Sequence, residues 1–306
     1  MNLLHVWRYT LRSARGLNAV SARTEHEGAL IRVGEGFGCL HPWPELGDLV
    51  LADQLEILAA GGRTALIDGA LRCAEADGRA RQEGRPLFHG PTPESHWLAL
   101  PGDDPEKARE DGFTAVKLKV GDELGQNLQS ARLWADSGFR LRLDANESLD
   151  LATFFGFWKD LGDLCERVDF VEDPVPWHPA IWEELRKFDV PVAVDREAES
   201  RFRPGDVAVI KPAVSDWIPR SPERFVVTSA MDHGLGQLWA AAEASRLAEG
   251  PEGVRLSGCG LLTHRCFESD PFFERLRCDG PRLVPPGGTG LGFDDLLEGL
   301  PWKRLT

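Results

Sequence analysis

The chain has 306 residues, 42% of them hydrophobic and 27% charged, with no long low-complexity tract. Such a composition belongs to a folded globular protein with chain enough for a large core, and excludes a disordered or fibrous one. A formal net charge of −14, with no Lys/Arg-rich stripe to offset it locally, argues against nucleic acid as a partner. No apolar stretch reaches the length of a membrane span, and residues 1–12 lack the basic and apolar regions of a secretory leader, so a cytoplasmic location without membrane contact is expected.

Residues 3–11 and 29–33 read as strands, and the Gly-Glu-Gly-Phe-Gly run at 34–38 reads as a turn. That run lacks the G-x-G-x-x-G spacing and leads into His41-Pro42-Trp43-Pro44 rather than a helix, which removes the nucleotide-binding reading. Helical patterns follow at 49–60 and 64–83.

After Pro93 the texture changes. Short apolar runs at 96–100, 114–119, 141–144, 169–172, 192–195, 207–211, 225–229 and 254–257 alternate with stretches that suit helices, most clearly 126–137 and 149–164. Eight strands in βα alternation predict a closed parallel barrel. The connections 196–206 and 212–224 hold about a dozen residues each and are rich in proline, whereas a crossover helix with its loops needs at least about ten to twelve. The fifth and sixth barrel helices are therefore expected to be shortened or absent. Residues 285–292 form a Gly-rich loop without the Lys-Ser/Thr of a phosphate cradle, expected to lead the last residues back toward the N-terminal region.

Cys39, Cys73, Cys165, Cys259, Cys266 and Cys278 show neither a C-x-x-C pair nor zinc spacing, and are expected as buried free thiols. His41, His233 and His264 have no acid partner that would mark a catalytic base, and are expected in structural or surface roles.

In a parallel barrel the carboxyl ends of the strands share one cavity. Three successive strands run from apolar residues into an acid: Leu-Arg-Leu-Asp144, Asp-Phe-Val-Glu172 and Val-Ala-Val-Asp195. A single acid so placed is ordinarily a solvated loop start, but three converging carboxylates repel one another unless a cation lies between them. An all-oxygen triad suits Mg²⁺, with Mn²⁺ possible, and offers nothing that favours Zn²⁺. The flanking strands carry Lys117 and Lys119 on one side and Lys211 on the other. A second ammonium and a divalent cation would both push a lysine toward its neutral form, and Lys119, nearer its strand end, is the better general base. The implied chemistry is proton abstraction next to a carboxylate, through an enediolate that the metal stabilises, on a small-molecule carboxylate substrate.

The Lys-x-Lys, Asp-x-Asn, Glu-Asp-Pro, Asp and Lys-Pro series resembles the enolase superfamily in its muconate-lactonizing branch. The resemblance implies an α/β fold: a modified (β/α)7β, TIM-like barrel at 95–284 under an α+β capping domain at 1–94, with the tail 285–306 returning to the cap. Loops 15–22 and 41–47 of the cap would then select the substrate. It further implies Asp144, Glu172 and Asp195 as Mg²⁺ ligands, Lys119 and Lys211 as the catalytic pair and Lys117 as an auxiliary lysine. Asn146 and Ser229 become the expected substrate contacts, the Ser229 stretch acting partly through backbone N–H groups.

Within that branch the segments at 36–47 and 228–236 resemble the o-succinylbenzoate synthase family. A hydro-lyase is implied, which forms 2-succinylbenzoate by syn-dehydration of 2-succinyl-6-hydroxy-2,4-cyclohexadiene-1-carboxylate in menaquinone biosynthesis. The same two lysines would serve an N-succinylamino acid racemase, and a non-catalytic barrel kept as a binding scaffold is the reading of another class. Three departures stand out: Asp195-Arg196-Glu197 where Asp-Glu is usual, the two short connections, and Gly258-Cys259-Gly260 on the eighth strand where dipeptide epimerases carry Asp-x-Asp. Oligomeric state is not legible in the sequence.

Overall fold

Apolar alternation at the N-terminus builds an antiparallel sheet from β1 (Leu4–Arg12), β2 (Glu25–Val33) and β3 (Gly36–Leu40). The computed structural model describes residues 3–17, 21–221 and 223–305. Loop 15–22 is thus only partly described, since residues 18–20 lie outside the described residues. One face of the sheet carries Ala29, Ile31 and Leu40 against α1 (Leu51–Ala59) and α2 (Ala65–Gln82). The other carries Tyr9, Leu30 and Phe37 into the main core. Thr64 caps α2, its Oγ1 accepting from the N–H of Ile67 at 3.2 Å.

The turn expected over 34–38 is confined to Gly34 and Glu35, and Gly36–Leu40 is a buried strand. Close packing explains the misreading. A Cβ on Gly36 would lie 1.9 Å from the carbonyl oxygen of Ala74, and one on Gly38 would lie 2.1 Å from that of Ala70. These glycines let α2 lie directly on the strand.

A seven-stranded parallel sheet follows, in the order of the chain: β4 (Trp97–Leu98), β5 (Ala115–Lys119), β6 (Arg140–Asp144), β7 (Val168–Glu172), β8 (Val192–Val194), β9 (Val207–Ile210) and β10 (Phe225–Val227). Its two edges meet through residues 256–260. Ser257 N donates to the Phe225 carbonyl at 2.9 Å and Gly260 N to Val227 at 2.9 Å, while His96 N donates to the Cys259 carbonyl at 2.8 Å. The eighth strand expected at 254–257 is displaced: 253–255 is a 3-10 turn, and the bridging residues lie farther along.

The outer layer holds α3 (Pro105–Glu110), α4 (Leu124–Asp136), α5 (Leu151–Leu161), α6 (Pro179–Lys187), α7 (Ala198–Arg201) and α8 (Gly234–Glu249). Between β8 and β9 the helix is only four residues long. Between β9 and β10 the described residues contain none, Pro222 lying outside them. Short strands β11 (Arg277–Asp279) and β12 (Arg282–Val284) pair with each other. After α9 (Asp294–Glu298), β13 (Lys303–Arg304) pairs antiparallel with β1.

Inside the strands, Phe170, Ala193, Val209 and Val226 pack together. Each lies two residues before a strand-end polar residue, so by the two-residue period all four share a face with Glu172, Asp195, Lys211 and Thr228. The apolar layer is the floor on which the polar one rests. Cys39, Cys73, Cys259 and Cys266 are buried free thiols, Cys165 is half-buried, and Cys278 on β11 is exposed, contrary to expectation. No helix among the described residues is long and apolar enough to cross a membrane.

Candidate active site

The parallel ladder sets the acids side by side. Lys119 pairs in register with Asp144, and Asp144 with Glu172. Glu172 pairs with Ala193, so Asp195 stands two residues farther along its own strand. This stagger steps Asp195 and Lys211 upward along the wall, as strand tilt in a closed sheet requires.

One cavity of about 670 Å³ is lined by Lys117, Lys119, Asp144, Asn146, Glu172, Asp195, Lys211 and Ser229. All the residues singled out in the sequence therefore face the same space. Lys117 Nζ lies 2.8 Å from each oxygen of Glu172 and 2.7 Å from Asp144 Oδ2, which Lys119 Nζ also reaches at 2.6 Å. Lys211 closes the row with a hydrogen bond to Asp195.

The electrostatics follow from burial against pairing. Burial opposes the charged form of Lys117, but Asp144 and Glu172 outweigh it and hold its pKa above the ordinary lysine value. Lys211 is raised in the same way: burial works against it, and Asp195 and Glu172 prevail. At both lysines the surrounding carboxylates outweigh burial. Asp144 is lowered, the nearby Lys117 and Lys119 overcoming its burial. Glu172 is raised, first by burial and then by Asp144.

Whether this donor set suits a divalent cation is decided by its chemistry. Three buried or nearly buried carboxylates, without a thiolate or imidazole among them, are paired with lysine ammoniums. Among the described residues no three His, Cys, Asp or Glu side chains converge closely enough to form a finished metal site, since the Lys117 ammonium lies between Asp144 and Glu172. A hard cation suits the oxygens that the ammoniums now hold.

Asp173 braces the arrangement. It is buried, adopts φ 43°, and its carboxylate accepts from the backbone N–H groups of Asp195 at 3.2 Å and Arg196 at 3.3 Å. Asn146 (φ 48°) donates its backbone N–H to Asp144 Oδ1 at 3.2 Å, while its side-chain nitrogen is buried without a partner among the described residues. Ser229 Oγ bonds Thr263 Oγ1 at 2.6 Å. Its own backbone N–H is donated to the Gly260 carbonyl at 3.0 Å.

From the N-terminal region, His41, Trp43 and Leu46 line the cavity, and Trp43 Nε1 donates to the Ala230 carbonyl at 2.8 Å. His41 Nδ1 lies 3.0 Å from the Tyr9 hydroxyl, and burial drives its pKa down to about 3. His233 caps α8, accepting from Leu235 N at 3.2 Å, and burial lowers it to about 3 as well. His264 bonds Gln237 at 2.9 Å. Burial holds all three imidazoles in the neutral form at neutral pH.

Beside His233, Asp232 is buried with Oδ1 unpartnered among the described residues, and burial pushes its pKa up to about 7. A carboxyl raised this way binds its proton more tightly folded than unfolded, so stability falls as pH rises from near 4 through 7. Asp232→Asn is accordingly expected to gain stability over the parent progressively across that window, by up to about 1.4 kcal/mol per pH unit, read as a rising difference in Tm. A pH-independent difference in thermal denaturation would contradict the assignment.

Sequence reasoning missed His96, Thr228, Thr263 and Trp217, which also line the cavity. The available signal was the two-residue period: Thr228 and Lys211 end adjacent strands on the inward face, and His96 precedes inward-facing Leu98 by two.

Comparison with known proteins places the chain. Residues 4–80 match the family model "O-succinylbenzoate synthase, N-terminal domain", and residues 103–208 match "Enolase C-terminal domain-like". An o-succinylbenzoate synthase from Bdellovibrio bacteriovorus is 35% identical over 322 aligned positions, covering 97% of each chain. Among solved structures, the L-Ala-D/L-Glu epimerase from Bacillus subtilis superposes with a TM-score of 0.72 at 18% identity, covering 95% of this chain and 98% of that one. Muconate lactonizing enzyme from Pseudomonas fluorescens gives 0.73 at 16% identity, covering 95% of each. These two speak for an α/β enolase-type fold, and the full-length relative for more than fold: the chain belongs to the o-succinylbenzoate synthase family of the enolase superfamily.

Proposed function

We propose that this chain is a Mg²⁺-dependent carbon–oxygen lyase that dehydrates 2-succinyl-6-hydroxy-2,4-cyclohexadiene-1-carboxylate to 2-succinylbenzoate in menaquinone biosynthesis. The observation that carries it is the 35% identity to an o-succinylbenzoate synthase over nearly the whole chain. The lysine–carboxylate row supports it chemically. We read the closed strand ring as a modified (β/α)7β barrel with its fifth helix reduced to α7 and its sixth absent, capped by the α+β unit of residues 1–94 and the tail 285–306.

Asp144, Glu172 and Asp195 would hold Mg²⁺, or Mn²⁺, which when bound supplies Lewis-acid stabilisation of charge developing on the ring carboxylate. Lys119 is the base: its side chain is 29% exposed against 11% for Lys117, so it reaches farthest into the cavity from β5. Its amine takes the proton from the carbon beside the carboxylate and returns one to the hydroxyl on the same face. The C–H and C–O bonds break, a ring double bond forms, and water leaves. Lys211, across the acids on β9, stays protonated and faces the growing negative charge. Lys117, bound to both Asp144 and Glu172, orients those acids. Asn146 and Ser229 contact the substrate.

The purified protein with Mg²⁺ is expected to form the aromatic product and to lose that activity in EDTA. Mg²⁺ alone should raise Tm, by the equivalent of about 2.7 kcal/mol at a hundred times its Kd. A metal-loaded protein that dehydrates nothing yet exchanges solvent deuterium into N-succinylamino acids would shift the assignment to racemisation.

A further inference from the structure

Below the strand-end acids the cavity extends to His96, a residue that the chemistry above leaves without a task. His96 is 6% exposed, and its Nδ1 lies 3.0 Å from a terminal nitrogen of Arg142. A guanidinium only donates hydrogen bonds, so Nδ1 must accept and the ring proton must sit on Nε2. Arg142 cannot turn away. It is 3% exposed, its Nε donates to Asp169 at 3.0 Å, and the nitrogen that reaches His96 also bonds the Gly258 carbonyl. Burial and then the Arg142 charge hold the imidazole pKa well below its ordinary value, so the ring is neutral. Nε2 has no hydrogen-bond partner among the described residues.

The ring edge that carries Nε2 packs against Gly260, which leaves no room there for a side chain. A Cβ on Gly260 would come within 2.8 Å of His96 Cε1, 3.0 Å of Nε2 and 2.9 Å of Thr228 Cγ2. Thr228 Oγ1 is buried and unpartnered among the described residues. Gly258 and Gly260 fall on the same side of their segment. Where dipeptide epimerases set two acids to hold an ammonium, this chain has two absent side chains, an N–H, a hydroxyl and a buried guanidinium behind them. That lining selects an oxygen acceptor.

We propose that His96 is a substrate-positioning residue whose Nε2–H, fixed in that tautomer by Arg142, donates to an oxygen of the substrate's side arm. The inference rests on the dehydration reading. There the ring carboxylate is engaged at the lysine and acid row, and the ketone and terminal carboxylate of the side arm are the acceptors left over.

Two measurements on the full-length enzyme test it. With ¹⁵N-histidine labelling, and His96 assigned by its absence from the His96→Gln spectrum, the parent should show the Nε2-protonated tautomer. Its Nε2 resonance should move on adding o-succinylbenzoate and stay put with benzoate, which lacks the arm. In steady-state kinetics His96→Asn keeps an acceptor for Arg142 but loses the distant donor. KM should rise about ten- to a hundredfold with kcat changed less, and His96→Gln, whose amide nitrogen reaches the Nε2 position, should recover most of the loss. A resonance indifferent to saturating product, an equal response to benzoate, or a parental KM in His96→Asn overturns the proposal. If the parent proves inactive in dehydration but its His96 still responds to the product alone, the reaction reading fails and the positioning role stands.

Discussion

Lys119→Ala is expected to lower kcat for dehydration by about 10³-fold or more, with circular dichroism, Tm and product binding close to those of the parent. General acid–base catalysis by one positioned group contributes about 10²- to 10⁴-fold, and Lys119 serves twice, as base toward carbon and acid toward the departing hydroxyl. The fold should survive because Asp144 does not lose its only cation: Lys117 Nζ remains 2.7 Å from the same oxygen and holds Glu172 at 2.8 Å. That separation of roles makes the experiment sharp. Losing a structural lysine would loosen the acids and lower Tm, whereas losing the base leaves the row intact and stops turnover. Activity within tenfold of the parent would remove Lys119 from the mechanism and move attention to Lys117.

The acids and lysines were legible because each ends an apolar strand, and a parallel barrel turns strand ends into a shared cavity. Their neighbours were less so, for specific reasons. The start of β3, residues 36–38, looked like part of a turn because its glycines serve the contact of β3 with α2, a property of two segments and not of one. The eighth strand was bounded too early, at 254–257, because Gly-Cys-Gly has no strand propensity, and residues 256–260 are held extended by bonds to Phe225 and Val227 on one side and to Glu94 and His96 on the other. His96 and Arg142 sat in plain view, two residues before Leu98 and Asp144. A histidine becomes informative only once a buried arginine is seen to fix its tautomer.

The tail shows the same dependence on distant partners and yields the largest expected loss of stability. Asp77, on α2, is fully buried. Its Oδ2 accepts from Phe37 N at 3.0 Å and Arg81 Nε at 2.7 Å, and its Oδ1 accepts from Leu291 N at 2.6 Å. One carboxylate thus ties the helix, β3 and the returning tail. Arg81 continues the link, donating to the Gly292 carbonyl at 2.9 Å, pairing with Asp294, and stacking over Phe37 at 4.8 Å. Asp77→Ala strands two buried N–H groups and strips a nearly buried guanidinium of its better-shielded partner. Breaking a buried pair from one side costs about 3–5 kcal/mol, so urea denaturation should show a loss of that size. Asp77→Asn, which keeps an acceptor without the charge, should lose about half as much. Because the tail returns to pair β13 with β1, the alanine variant should also expose the C-terminal strand to proteolysis before the rest of the chain. A loss below about 0.5 kcal/mol in Asp77→Ala would mean that the tail is held by Arg81–Asp294 and the β1–β13 ladder alone.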